Sequence, residues 1–212
     1  MNNFKKVVFI ALVVLFLCFL GTKYLLKIIK NDNPTFFNAA EEVILKKGDY
    51  LIGKQVKAGF YDVISLSDDV SLMPVKLSKG DMIVGQRLEN NAHAFVVGNG
   101  SVKLLPAEYV PLKMDAQNKY RIVHSGNYMV GKQILEGRYK ISYKVRGKGK
   151  VKVKEKPFVQ ILPGYGKDQL DSFAFEKVST YKINLETGNI LDVRKSLEEE
   201  YDSVVIELTL IK

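Results

Sequence analysis

The chain has 212 residues, a formal net charge of +9, a single cysteine and no tryptophan. One cysteine excludes a disulfide framework within the chain, and the length allows a membrane anchor and two domains of roughly 75–95 residues each. Five lysines and no acids lie in the first 30 residues, so the rest of the chain carries a net charge of only +4.

The N-terminal segment is predicted to be an uncleaved membrane anchor covering residues 1–30. An unbroken apolar run extends from Val7 to Leu20, and apolar residues continue to Ile29. A helix over this segment would be roughly 34 Å long, which is enough to cross the hydrocarbon core of a bilayer. Three lysines on one face of that helix are predicted to lie at the membrane interface: Lys23, Lys27 and Lys30.

The alternative interpretations of this segment are a cleaved signal peptide and a lipoprotein signal. Residues 19–22 contain no small-x-small cleavage site, and Leu17 replaces the small residue expected before a lipidated Cys18. Both observations favour the anchor. Lysines flank both ends of the span in nearly equal numbers, so the charge rule by itself leaves the orientation open.

After the anchor, the sequence predicts a neck and two β units. Asn31–Pro34 ends the helix because proline cannot continue it, and the neck covers residues 31–42. From Val43 onward, short apolar runs rich in Tyr and Val alternate with glycines, which is typical of all-β sandwiches and barrels. The predicted boundaries are repeat 1 at 43–105, a linker at 106–120 and repeat 2 at 121–212.

The two β units share a motif. Gly48–Ser65 reads GDYLIGKQVKAGFYDVIS, and Gly126–Ser142 reads GNYMVGKQILEGRYKIS with the same spacing. This predicts two copies of one structural unit. A second block aligns Val75–Ile83 with Ile183–Leu191, which implies an insertion of about 30 residues in copy two, at about 143–180.

Several patterns resemble reactive sites without satisfying their requirements. Gly-x-x-x-x-Gly-Lys occurs in both copies, but Gln55 or Gln133 follows where a P-loop has Ser or Thr, and no helix pattern comes next. His93 and His124 have no neighbouring His or Cys to form a metal site. The acids Glu198–Glu200 and Asp202 are interpreted as a solvated face. We therefore predict no catalytic, cofactor-binding or metal-binding residue, and a protein that is not an enzyme.

A run of cations at even positions begins in copy two and predicts a one-sided basic hairpin. Gly147–Gly149 would form its loop, placing Lys144 opposite Lys152 and Lys140 opposite Lys156. Its candidate polyanion-binding residues are Lys144, Arg146, Lys148, Lys150, Lys152, Lys154 and Lys156.

Two interpretations of this run stay open: a surface for anionic lipid, a wall polyanion or the chain's own acidic run, and a solvated edge that blocks aggregation. Nucleic acid is not expected, because aromatic residues do not alternate with the lysines.

The doubled motif resembles a β repeat of surface proteins and lipoproteins of Gram-positive bacteria. The resemblance is carried by Tyr50, Gly53, Gly59 and Tyr61 and by Tyr128, Gly131, Gly137 and Tyr139. It covers residues 44–105, 122–142 and 183–210, and it departs from the usual pattern at Gln55 and Gln133, where an acid is common. The resemblance implies a fold and an extracytoplasmic location, with the N-terminus inside, and no particular activity.

These observations predict a single-pass protein of the cell membrane with an all-β part outside the cell. The first functional hypothesis is a non-catalytic binding or scaffold protein of the cell envelope. The alternative is an accessory single-span subunit of a larger membrane complex, such as a secretion or transfer apparatus, in contact with other membrane-protein subunits.

Overall fold

A computed structural model describes residues 38–146, 155–176 and 178–211 of the chain. All regular secondary structure in these ranges is β, which confirms the predicted all-β class for this part of the protein. Within the same ranges, no helix has the length and apolar character needed to cross a membrane. The predicted anchor, residues 1–30, lies outside the described residues.

The strands follow the chain in two groups. The first group is β1 (Val43–Leu51), β2 (Gly59–Ser65), β3 (Val70–Leu72), β4 (Val75–Leu77), β5 (Met82–Leu88) and β6 (His93–Pro106). The second group is β7 (Lys119–Ile122), β8 (Ser125–Met129), β9 (Gly137–Val145), β10 (Phe158–Leu162), β11 (Asp171–Ala174), β12 (Thr180–Leu185), β13 (Ile190–Arg194) and β14 (Val204–Leu210).

Two sheets contain these strands. The larger has the order β11-β10-β13-β8-β5-β2-β6-β3-β4, with β1 paired to β6, so it includes strands of both repeats. The smaller has the order β12-β9-β14-β7. The repeats join where β5 pairs with β8, at Val84 and Gly126, and this pairing is parallel, whereas the other paired strands in the described ranges are antiparallel.

Each repeat buries its own hydrophobic core. The first core packs β1, β2 and β6 around Leu45, Tyr61 and Leu104. The second lies between the smaller sheet and the β8-β13-β10 part of the larger one, as in a sandwich. A third cluster at the junction contains Phe60 and Tyr165, whose ring centroids are 4.5 Å apart.

The repeated motif forms the same tight turn in both copies. The amide of Gly53 donates to the carbonyl of Val56 at 2.7 Å, and the same bond in copy two, from Gly131 to Ile134, is also 2.7 Å. Both glycines have a positive φ, at 89° and 87°, a conformation that glycine adopts without steric cost. The residues that resemble a P-loop therefore form a β turn.

The motif's glutamines and second tyrosines complete this turn. Oε1 of Gln55 accepts the amide of Leu51 at 2.7 Å, and Oε1 of Gln133 accepts the amide of Met129 at 2.9 Å. The second tyrosine of each motif donates its hydroxyl to the carbonyl four residues earlier, at 2.7 Å in copy one and 2.8 Å in copy two. The spacing shared by the two copies thus specifies a fold, because the glutamine and tyrosine side chains of the motif form hydrogen bonds with the backbone.

The second block of the repeat was aligned wrongly from the sequence. Gly59 pairs with Leu88, and the equivalent Gly137 pairs with Leu185. The turn at 89–92 in copy one therefore corresponds to the turn at 186–189 in copy two. In each turn the last carbonyl accepts the amide of the residue that follows the strand with the motif's first tyrosine. Val75–Ile83 and Ile183–Leu191 are not equivalent, because Val75–Leu77 is the second strand of the β3–β4 hairpin, whereas Ile183–Leu185 belongs to β12, the counterpart of β5.

Candidate functional site

The outer face of the smaller sheet is strongly basic. Along β7 and β9, cations alternate with buried apolar residues, so that one side of the sheet packs on the core and the other carries charge. We name this surface the basic face and define it by Lys119 and Arg121 on β7, Arg138, Lys140 and Lys144 on β9, and Lys182 on β12.

The cations lie in rows across the strands, because directly paired residues share a face. One row runs Lys182–Lys140–Thr209–Lys119 over all four strands. The next row places Ser142 and Glu207 beside Arg121. The charges are therefore arranged in two dimensions and do not follow a single strand.

Glu207 is the central acid of the basic face. Its carboxylate lies 3.2 Å from Lys119 Nζ, 3.1 Å from Lys144 Nζ and 3.8 Å from Arg121 Nε, and its side chain is 6% exposed. Burial alone would raise the pKa of Glu207, but the hydrogen bonds from Lys144 and Lys119 outweigh it and lower the pKa. Glu207 neutralises part of the charge from within the sheet.

Three cations of the basic face have no such partner. Within the described ranges, no carboxylate pairs with the side chains of Arg138, Lys140 or Lys182, all of which are exposed. Lys140 and Lys182 are direct cross-strand partners, an arrangement of like charges that destabilises a sheet. The sheet therefore tolerates an uncompensated positive charge at its solvent surface.

The structure places only part of the predicted basic hairpin. Lys148, Lys150, Lys152 and Lys154 lie outside the described residues. Lys144 lies on the basic face, the amide of Arg146 donates to Ser203, and Lys156 Nζ contacts the Tyr143 hydroxyl at 3.0 Å. The pairing of Lys140 with Lys156 is wrong, because Lys182 and Thr209 occupy both of its cross-strand positions.

Sequence reasoning missed the contribution of the other strands. Lys119 and Arg121 alternate with Tyr120 and Ile122, and Lys182 lies between Tyr181 and Ile183. This alternation was readable from the sequence. What could not be read was that β7, β9 and β12 belong to one sheet, since β9 pairs with β12 across a long stretch of chain and β7 joins them only through β14.

A groove of about 720 Å³ lies at the junction of the repeats. Ile64, Met82 and Leu112 give it an apolar lining, and Asp62 and His124 supply polar groups. Burial raises the pKa of Asp62 although the Gly85 amide donates to its carboxylate at 2.9 Å. Burial and the nearby Lys195 lower the pKa of His124, which favours a neutral imidazole.

The acidic run at 198–200 is only partly a solvated face. Glu198 is exposed, but the carboxylate of Glu200 is buried and lies 2.6 Å from Lys195 Nζ, whose side chain is 0% exposed. Lys195 also donates to the carbonyls of Val123 and Tyr201, and the amide of Ser125 donates to Glu200. This network is structural: it secures the segment that pairs with β4 through Lys76.

No group of His, Cys, Asp or Glu side chains in the described part of the chain has an arrangement that could hold a metal ion. His93 contacts Asp49 at 2.7 Å and stacks on Phe95, whereas His124 lines the junction groove. The sequence matches no protein-family model, and no curated protein is similar to it at a significant level.

Proposed function

We propose that this protein is a non-catalytic, membrane-anchored binding module of the Gram-positive cell envelope, and that its basic face binds a phosphate-bearing anionic partner. The observation that carries the proposal is the two-dimensional array of cations, of which Arg138, Lys140 and Lys182 lack an acidic partner among the described residues. The anchor at residues 1–30 and the resemblance of the repeated motif support an extracytoplasmic location.

The size of the expected effect follows from the unpaired charges. A lysine or arginine close to an anionic surface contributes about 1 kcal/mol to binding. Three unpaired cations would then contribute about 3 kcal/mol, or roughly a hundredfold in the dissociation constant. The cations bound to Glu207 contribute less, because part of their charge is already neutralised.

The test compares two variants of equal net charge. Arg138, Lys140 and Lys182 are changed to Gln in one, and the exposed lysines Lys46, Lys47 and Lys54 of repeat 1 are changed to Gln in the other. Binding of the full chain in mild detergent to immobilised long-chain polyphosphate is measured at low salt. We expect a loss of about a hundredfold for the basic-face variant and a few-fold for the control. Equal losses, or no binding by the unmodified chain, would contradict the proposal.

An accessory role in a larger membrane complex is the second candidate, and the junction groove favours it. Its apolar lining of Ile64, Met82 and Leu112 could accept a segment of a partner subunit. Replacing Met82 with Glu should then remove a membrane protein that co-purifies in mild detergent. If no such partner is present with the unmodified chain, the binding-module interpretation is favoured.

A further inference from the structure

We propose that the junction groove is a binding site for a small organic amine, whose ammonium group contacts Asp62 and Glu108 and whose apolar body lies against the apolar lining. This inference goes beyond the proposed function, because it concerns a different surface. The three cations on which the proposed function rests, Arg138, Lys140 and Lys182, do not line the groove.

The outer face of repeat 1 gives the groove an apolar floor. Ile64 on β2 and Met82 on β5 are direct cross-strand partners, and both are partly buried. Their neighbours Val63 and Ile83 belong to the core of repeat 1, so the alternation of side chains places Ile64 and Met82 on the opposite face. The groove's volume of about 720 Å³ lies within the range of about 300–1,000 Å³ that small-molecule sites occupy.

Asp62 lies on the same face as this floor. It is two residues before Ile64 on β2, and it is paired with Leu105 of β6, which also lines the groove. Burial raises the pKa of Asp62 and the charge of Glu108 raises it further, whereas the amides of Gly85 and Glu108 lower it. The groove thus contains two interacting acids beside an apolar surface.

The negative charge of these two acids is not compensated by the part of the chain that the structure describes. No described cation forms an ion pair with Asp62 or Glu108. Arg121 lines the groove, but its guanidinium lies 2.9 Å from the Asp115 carboxylate and 3.8 Å from that of Glu207. The positive charge of Arg121 is therefore already neutralised.

The other titratable groups of the groove do not oppose a cation. Burial and the nearby Lys195 lower the pKa of His124, so its imidazole is neutral at pH 7. Glu42 lies 2.7 Å from Lys103 Nζ, which balances its charge. Hydrogen bonds between an ammonium group and a carboxylate are stronger than those between neutral groups. The groove therefore favours an amine over an alcohol or a carboxylate of the same shape.

Three probes that share one apolar body test this preference: phenylbutylamine, phenylbutanol and phenylbutyrate. The full chain is isotope-labelled at its methionine methyl groups, and methyl spectra are recorded in mild detergent as each probe is added. Met82 reports on the groove, and Met73, which packs against the core of repeat 1, is the reference.

We expect phenylbutylamine to shift the Met82 signal in a saturable way, with a dissociation constant at least about tenfold lower than that of phenylbutanol. Phenylbutyrate should bind more weakly than phenylbutanol, because the two acids repel it. The Met73 signal should not move with any of the probes.

Three variants locate the ammonium group. Asp62→Asn should weaken binding of the amine about tenfold, to the level of the alcohol, and leave binding of the alcohol unchanged. Glu108→Gln, at an exposed position, should weaken amine binding less, and it provides the test if Asp62→Asn does not fold. The control Asp171→Asn removes the same charge from β11, four strands away from β5 in the larger sheet, and should have no effect.

Equal affinities for the three probes, or full amine affinity in both Asp62→Asn and Glu108→Gln, would overturn the inference. No saturable shift of Met82 with any probe would also overturn it, and would leave the groove to a segment of a partner subunit. The basic-face variant, in which Arg138, Lys140 and Lys182 are changed to Gln, retains every residue that lines the groove. Polyphosphate binding and amine binding can therefore fail independently.

Discussion

Gln55 and Gln133 make the same hydrogen bond in different surroundings. Each accepts the amide four residues earlier, but Gln55 is exposed, whereas Gln133 is only 4% exposed. Water can replace a lost partner at the first site and not at the second. A buried amide without a partner costs about 1–3 kcal/mol.

We therefore expect Gln133→Ala to reduce the free energy of unfolding by about 1–3 kcal/mol and Gln55→Ala by less than about 1 kcal/mol. Urea denaturation of the two variants followed by circular dichroism measures the difference. Equal losses would show that the glutamines act through the turn's conformation and not through burial of the amide.

Glu207 should make stability depend on pH. Since its pKa is lower in the folded chain than its ordinary value of 4.5, the ionised carboxylate stabilises the fold at pH values above 4.5. This contribution is lost as the pH falls through the lower, folded pKa. Glu207→Gln removes the charge at every pH.

We expect Glu207→Gln to be less stable than the unmodified protein by about 1–2 kcal/mol at pH 7 and low salt, and the gap to close below pH 4.5. Thermal melts between pH 7 and pH 3 provide the comparison, with the exposed Glu198→Gln as a control. A gap that widens in acid would mean that another group is responsible.

Among the elements, the junction of β5 and β8 depends on one glycine. Gly126 has φ 138°, and a Cβ atom there would overlap the backbone of Val84 on the paired strand. At the equivalent motif position in copy one, Gly48, a Cβ atom would meet only the ring of Tyr50 at 3.2 Å. Gly126 therefore allows the two repeats to pair, whereas the equivalent Gly48 lies at no junction between described strands of different repeats.

Gly126→Ala is expected to destabilise the protein by about 2–3 kcal/mol or more, because two backbones cannot separate without breaking the pairing. Gly48→Ala should be tolerated within about 1 kcal/mol, since an aromatic ring can shift. The unfolding free energies of both variants decide this. A destabilising Gly48→Ala and a neutral Gly126→Ala would contradict the role given to the junction.

The elements also show where the sequence was informative. Alternation of apolar and polar residues correctly predicted β structure, and the motif spacing corresponds to a turn that is the same in both copies down to the Gln55 and Gln133 bonds. The second block failed because it matched β4 of the β3–β4 hairpin with β12, which is the counterpart of β5. The pair Leu88-Glu89 and Leu185-Glu186 marks the true correspondence, but two residues are too weak a signal without the strand pairing.

The same limit applies to the basic face. Arg138, Lys140 and Lys144 all occupy even positions, and this spacing correctly predicted that they lie on one side of a strand. The alternation of side chains along a strand is local, so it can be read from the sequence. Their neighbours were assigned to the next stretch of chain, because a short hairpin is the simplest way to pair a strand. Long-range pairing with β12 and β14 replaced that arrangement, and burial of Ile206 and Leu208 in the core explains why it is preferred.

Across the whole molecule, the buried pair of Lys195 and Glu200 connects the repeats. It fixes the segment whose Glu198 carbonyl accepts the Lys76 amide at 2.6 Å, and it reaches Ser125 beside the junction. Glu200 Oε2 has no hydrogen-bond partner among the described residues. Losing the lysine would leave this carboxylate in the interior without its counter-charge.

We expect Lys195→Met to cost about 3–5 kcal/mol, and the double variant with Glu200→Met to regain part of that loss, because a buried charge is most harmful when it is left alone. Amide hydrogen exchange should also speed up at Lys76 in the single variant. A double variant less stable than Lys195→Met, or unchanged exchange at Lys76, would show that the pair does not hold the repeats together.

The position of β14 has a consequence for the time at which the fold can form. All strands of repeat 1 precede residue 107, so its core can assemble early in synthesis. In the smaller sheet, β14 lies between β9 and β7 and is the last of the described strands to be made. At 5–20 residues per second, roughly 5–20 s pass between completion of β6 and of β14. During that interval β7 and β9 have open edges, and protection from other nascent chains must come from outside the sheet.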